Sequence, residues 1–291
     1  MPDTIGRNQV ALDHLGSIDD AGVEFVIHTG DLVAEPSEWA YRAYDSVVSR
    51  LDVPIYCAPG NHDVFNTAID DAEAPWWAQL TIDSSRIADF GRWVGPNWYS
   101  FSRKGTLFLG LNSQLINSGL PEEPEQWAWL EHTLQAEGSS ATNVVLFMHK
   151  PLFVGHPEES LDASDFAQRY CIIMPPGRDR LLDLIRKHGV NAVLTGHLHT
   201  PLDISHSWPE GSVTRFITTG TSGSASPMAI DTFGLAGTPV GGVGYHLVHL
   251  DEYGLTAEYQ RHQAEVIRGD WELADCAVSR LSIDSSPERQ G

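Results

Sequence analysis

Four short apolar runs in this chain each stop at a small or polar residue and hand over at once to side chains that bind metals. Val23-Glu24-Phe25-Val26-Ile27-His28 runs into Thr29-Gly30-Asp31, and Val53-Pro54-Ile55-Tyr56-Cys57 runs into Gly60-Asn61-His62-Asp63. Asn143 to Met148 ends at His149, and Val190 to Leu194 ends at Gly196-His197-Leu198-His199. Runs of this length separated by amphipathic stretches read as strands of an α/β fold. Ligand sites in such sheets gather where the strands end, because the loops there converge over a rigid base.

The stretches between the runs support that frame. Val10 to Ala21 reads as a helix, with Val10, Ala11, Leu15 and Ile18 near one face, and Pro36 to Leu51 as a second, opened by Pro36-Ser37-Glu38. Trp98 to Phe101 and Thr106 to Leu111 flank Arg103-Lys104-Gly105 as a β-hairpin. Pro124 to Glu137 is helical with Trp127, Leu130 and Leu134 inward, and Arg178 to His188 with Leu181, Leu182 and Ile185 inward. Phe216 to Thr219 and a final pair, Tyr245–Leu250 and Leu255–Tyr259, add β-structure. Gly220 to Gly244 reads as a long loop without the strand and helix context of a nucleotide cradle. No linker or repeat divides the chain, so residues 1–291 read as one domain with a frayed tail over Ser285 to Gly291.

Composition narrows the partners. With 39 acidic against 18 basic residues, the net charge of -21 argues against nucleic acid or an anionic membrane as partner. A phosphorylated substrate must then be drawn by local cations, and the only lysines are Lys104, Lys150 and Lys187. Cys57, Cys171 and Cys276 form no CxxC pair and read as reduced thiols. No apolar run approaches the ~20 residues of a membrane span. Met1 to Val10 has no secretory pattern, so the expected location is the cytoplasm, unless an upstream start encodes a leader. Nothing in the sequence sets the oligomeric state.

The donors at the four strand ends have a definite chemistry. One carboxylate, one carboxamide and several neutral imidazoles suit Zn, Mn or Fe better than Ca. Asp31 can bridge two ions. Two ions about 3.5–4 Å apart polarise a phosphoryl oxygen and lower the pKa of a bound water towards about 7. The expected reaction is attack by a metal-bound hydroxide on a phosphate ester. His62 assists the leaving group and Asp63 holds its ring.

In this order, the segments resemble the GD, GNHD, H and GHxH motifs of the calcineurin-like metallophosphoesterase superfamily, from about Val10 to Tyr259. The resemblance implies a four-layer α/β/β/α sandwich of two mixed sheets flanked by helices. It implies two divalent ions, with Asp31 bridging, Asn61, His149 and His197 on one ion and His199 on the other. Cys57-Ala58-Pro59 and Leu111-Asn112-Ser113-Gln114 resemble a subgroup whose animal representative is a cytosolic Ser/Thr phosphatase. The implied substrates are a phosphorylated small molecule or a phosphoprotein.

The sequence departs from that pattern at one point. The family opens with Asp-x-His at the end of a first strand, and none precedes Gly30-Asp31 here. Asp13-His14 lies in the helical run and reads as helix surface. The expectation is an upstream start or a truncated chain; the alternative is a member that binds metal or phosphate without turnover. His156 reads as a solvated loop residue and Arg178 as a surface residue at a helix start. His28, His206, His246 and His249 read as ordinary strand or loop residues.

Overall fold

The protein is described by a computed structural model over residues 16, 22–66, 81–221, 244–251 and 254–261 and the backbone of 278–283. β1 (Phe25–His28) runs parallel to β2 (Ile55–Cys57), with Val26 opposite Ile55 and His28 opposite Cys57. Between them lies α1 (Glu38–Val48), N-capped by Ser37, whose side-chain oxygen accepts from the Ala40 amide. β2 leads into one short turn of helix, α2 (Asn61–Val64), and α3 (Ser84–Trp93) follows, capped by Asp83.

The hairpin forms as expected, from β3 (Tyr99–Arg103) and β4 (Thr106–Gly110). Lys104 and Gly105 turn it with φ of 44° and 79°, the left-handed pair that matches the twist of the flanking strands. β5 (Asn143–Phe147), β6 (Ala192–Thr195), β7 (Leu202–Ser207) and β8 (Val213–Thr218) complete a six-stranded sheet in the order β3-β4-β5-β6-β8-β7. Its four central strands are parallel and its two edges antiparallel. β9 (Gly244–Asp251), β10 (Gly254–Arg261) and β11 (Val278–Ile283) join β1 and β2 in a second mixed sheet, ordered β10-β9-β11-β1-β2.

Strand periodicity sorts the core into layers. In β4, Phe108 packs with Phe25, Ile27, Val145, Phe147, Leu194 and Val248 between the sheets. Its neighbours Leu107 and Leu109 face the other way. There they meet Trp127, Leu130 and Leu134 of α4 (Glu122–Glu137) and Leu181 and Ile185 of α6 (Gly177–Lys187). On the other side, Tyr41 of α1 clusters with Cys57 of β2 and with Ile87 and Phe90 of α3. The result is the expected α/β/β/α sandwich, in which each fully buried Leu, Ile or Phe contributes about 1.5–3 kcal/mol.

β7 and β11 are strands that periodicity did not reveal. β7 is an edge strand, Leu202-Asp203-Ile204-Ser205-His206-Ser207, whose inward positions are only half-buried. Among the described residues, no helix is long and apolar enough to cross a membrane. The helix expected over Val10–Ala21, with Asp13-His14, lies outside the described residues. So do most of the Gly220–Gly244 loop, Cys276 and the tail after residue 284.

Candidate metal centre

β1 and β2 of one sheet and β5 and β6 of the other end towards the same place. Asp31 and His149 are completely buried there, and Asn61, His197 and His199 are buried as well. His149 stands at the middle. Its Nε2 lies 2.9 Å from Asn61 Oδ1, 3.0 Å from His197 Nδ1 and 3.2 Å from Asp31 Oδ2. The ligand atoms of Asp31, His149 and His197 all fall within 4.8 Å of one another.

The hydrogen bonds around these rings fix what the atoms present. His149 Nδ1 is 2.9 Å from the Thr29 carbonyl, and His197 Nε2 is 2.8 Å from the Tyr170 carbonyl. A carbonyl only accepts, so each of those nitrogens carries the proton. In the neutral rings, the two nitrogens that face each other therefore offer lone pairs, beside a carboxylate oxygen and an amide oxygen. One proton on His149 Nε2 would serve one of these neighbours and leave the others repelling. A divalent cation serves all four, and ligand histidines tied to carbonyls through their other nitrogen are the usual support of such a site. Asn61 Nδ2 is buried without a hydrogen-bond partner, as its oxygen is committed to the cluster. The donors present fit a borderline metal such as Zn, Mn or Fe.

Backbone strain and close approach concentrate here. Five described non-glycine residues have positive φ, and three of them are Asp31, His197 and His199, at 54°, 68° and 54°. Such conformations are uncommon outside glycine, and Asp and His are among the side chains that tolerate them best; three in one cluster mark turns held by their surroundings. Gly60 is required by proximity: a Cβ there would stand 2.0 Å from Asp31 Oδ1 and 2.2 Å from its amide nitrogen. A Cβ on Gly30 would stand 2.7 Å from both the Gly60 amide and His149 Nδ1.

Charge is strongly coupled in the cluster. Burial alone would raise the Asp31 carboxyl, but the facing His149, with His62 and His197, outweighs it and holds the group well below the usual carboxylate range. Burial, then His149 and Lys150, push the His197 imidazole well below its usual value, which keeps it neutral at pH 7. Burial and the Asp31 charge push Asp63 up to about 7, against two amide hydrogen bonds.

Those amide bonds correct one expectation. Asp63 does not hold the His62 ring: its oxygens accept from the Gly60 amide at 2.8 Å and the Val33 amide at 3.1 Å. It pins the two turns that carry Asn61 and Asp31 to each other. The half-buried His62 donates its own amide to Asp31 Oδ1 at 2.9 Å, and its Nδ1 lies 3.1 Å from the Ala34 carbonyl.

Of the expected metal residues, the structure brings together Asp31, Asn61, His149 and His197. His199 is buried two residues further along the same turn but is not among the converging atoms. Arg178 is no surface residue. It is 5% exposed, and its guanidinium donates to the carbonyls of Leu152, Pro157 and Glu159, tying down the loop that leaves His149. His156 is exposed on that loop, as read. The carbonyls of Thr29 and Tyr170 that orient the two histidines were missed, since a backbone carbonyl leaves no mark in sequence.

The profile of the calcineurin-like phosphoesterase family matches residues 3–201. The chain belongs to that family. Its relatives include the Ser/Thr-protein phosphatase CPPED1 of Danio rerio, 32% identical over 186 residues, covering 60% of this chain and 53% of the relative. Another, named a probable glycerophosphodiester phosphodiesterase, GpdQ, from Arcobacter nitrofigilis, is 31% identical over 180 residues, covering 60% and 56%. The chain thus spans about half the length of the curated relatives it matches. Among solved structures, the purple acid phosphatase PPD1 of yellow lupin shares the fold with a TM-score of 0.55 at 16% identity, over 94% of this chain and 49% of that one.

Proposed function

We propose that this chain is a phosphoesterase that works through two divalent ions, Mn, Fe or Zn, and hydrolyses phosphomonoesters or small phosphodiesters. The observation that carries the reading is the convergence of Asp31, Asn61 and His197 on the lone pair of His149 Nε2. Those four residues would hold one ion, and Asp31 with His199 would serve the other. When bound, the ions supply an activated water and polarise a phosphoryl oxygen.

The chain's own residues do the remaining work. Thr29 and Tyr170 keep the two rings in the tautomers that ligate. Asp31 fixes the His62 backbone through one oxygen while its other oxygen faces the cluster. With Nδ1 committed to the Ala34 carbonyl, Nε2 is the His62 nitrogen assigned to protonate the leaving oxygen. Family membership and the two kinds of named relative support a phosphorylated small molecule or a phosphoprotein as substrate.

A second reading, a metal- or phosphate-binding member without turnover, is favoured by His199, which is not among the converging atoms of Asp31, His149 and His197. Hydrolysis of p-nitrophenyl phosphate and its bis ester separates the two. The enzyme reading expects turnover that chelation abolishes, and that His62→Ala lowers by roughly 10²–10⁴ with the metal retained. Full metal content with no turnover of either ester would favour the second reading.

A further inference from the structure

Lys150 directly follows His149, and its surroundings are unusual for so acidic a chain. Its amide donates to Ser113 Oγ at 3.0 Å and its ammonium to the Arg169 carbonyl at 2.8 Å. The next carbonyl, that of Tyr170, is the one that takes the His197 N–H. Consecutive carbonyls near the end of α5 (Phe166–Cys171) therefore hold the lysine and a ligand histidine in fixed register. The Lys150 charge is near enough to act on His197.

Among the described residues, this half-buried cation has no carboxylate partner. Lys104 pairs with Glu24, but no described acidic side chain forms an ion pair with Lys150. The Arg178 guanidinium, on the same loop system, is spent on carbonyls. A partly desolvated ammonium without a counter-anion is costly, and an anion placed beside it relieves that cost. An ammonium has three N–H donors, and the Arg169 carbonyl uses one.

We propose that Lys150, held by the carboxyl end of α5, is the cationic subsite for the non-bridging oxygens of a phosphomonoester dianion. The inference rests on the phosphoesterase reading and sharpens it. A monoester carries one more negative charge than a diester, and a fixed cation beside the centre favours the species with the extra charge. The subsite also supplies the local positive charge that an overall -21 denies the substrate.

The test is calorimetric titration of metal-loaded protein with inorganic phosphate, for the wild type, Lys150→Met and Lys150→Arg, beside turnover of p-nitrophenyl phosphate and its bis ester. Lys150→Met is expected to keep its metal and weaken phosphate binding by about 10- to 100-fold, as for loss of a hydrogen bond to a charged group. Its monoester kcat/KM falls in proportion, diester turnover changes by less than about 3-fold, and Lys150→Arg recovers most of the loss. Phosphate affinity unchanged in Lys150→Met, an equal loss on both esters, or loss of the metal would each overturn the subsite. If neither ester is hydrolysed while phosphate binding still depends on Lys150, the subsite stands and the catalytic reading falls.

Discussion

His149 Nε2 faces His197 Nδ1 at 3.0 Å, and each ring has already given its other N–H to a carbonyl, Thr29 for His149 and Tyr170 for His197. Two lone pairs held at that distance, with Asp31 and Asn61 oxygens beside them, describe a cation site. Replacing His197 by Ala should weaken metal binding by more than the roughly 10- to 100-fold typical of losing an outer-shell partner. Competition against a chelating dye measures it.

Gly60 lets the Asn61 turn touch the Asp31 turn. In Gly60→Ala the added methyl would overlap Asp31 Oδ1, which it would meet at 2.0 Å. The variant should lose roughly 1–3 kcal/mol of stability, the usual cost of overpacking. It should lose metal as well, because the atom displaced belongs to a ligand. Urea denaturation and metal content after dialysis read the two effects separately.

Asp63 and His62 are neighbours in sequence with different jobs. Asp63→Ala leaves the buried Gly60 and Val33 amides without their acceptor and should destabilise the fold by about 1–3 kcal/mol per orphaned amide. Metal and turnover should fall together in that variant, whereas His62→Ala should lose turnover alone. Chemical denaturation of the two variants, with metal analysis, checks the contrast.

His246 sets a pH dependence away from the centre. Burial in β9 pushes its imidazole down to about 4, with Asp203 opposing and Arg215 adding a smaller push, and the Tyr259 ring lies 5.0 Å away. Between that value and the unfolded value of about 6.5, the unfolded chain binds the extra proton. The His246 contribution to stability is therefore intact above pH 6.5 or so and is lost as the pH falls towards 4, by up to roughly 3 kcal/mol. His246→Phe should flatten that part of the curve. Urea midpoints at several pH values would show it.

Much of this was legible in the sequence because strand-to-turn transitions leave local marks. Gly30, Gly60 and Gly196 stop their runs directly before Asp31, Asn61 and His197, and β1, β2, β5 and β6 lie where the apolar runs place them. Arg178 was misread because its helix start is covered by the 152–159 loop, a contact that no local pattern encodes. The role of Asp63 was misread for a related reason. Adjacency to His62 suggested a ring contact, but the one-turn helix aims its carboxylate back at Gly60 and across to Val33. β7 was missed because an edge strand with Asp203, Ser205 and Ser207 outward carries little apolar alternation.

The central claim is that these residues hold metal, and metal content per chain tests it most directly. The wild type and Asp31→Ala would be loaded with Mn or Zn, freed of excess and measured by elemental analysis. The account predicts close to two ions in the wild type and fewer than one in Asp31→Ala, since the Asp31 carboxylate would serve both. A wild type that retains no metal, or a variant that retains as much as the wild type, would contradict it.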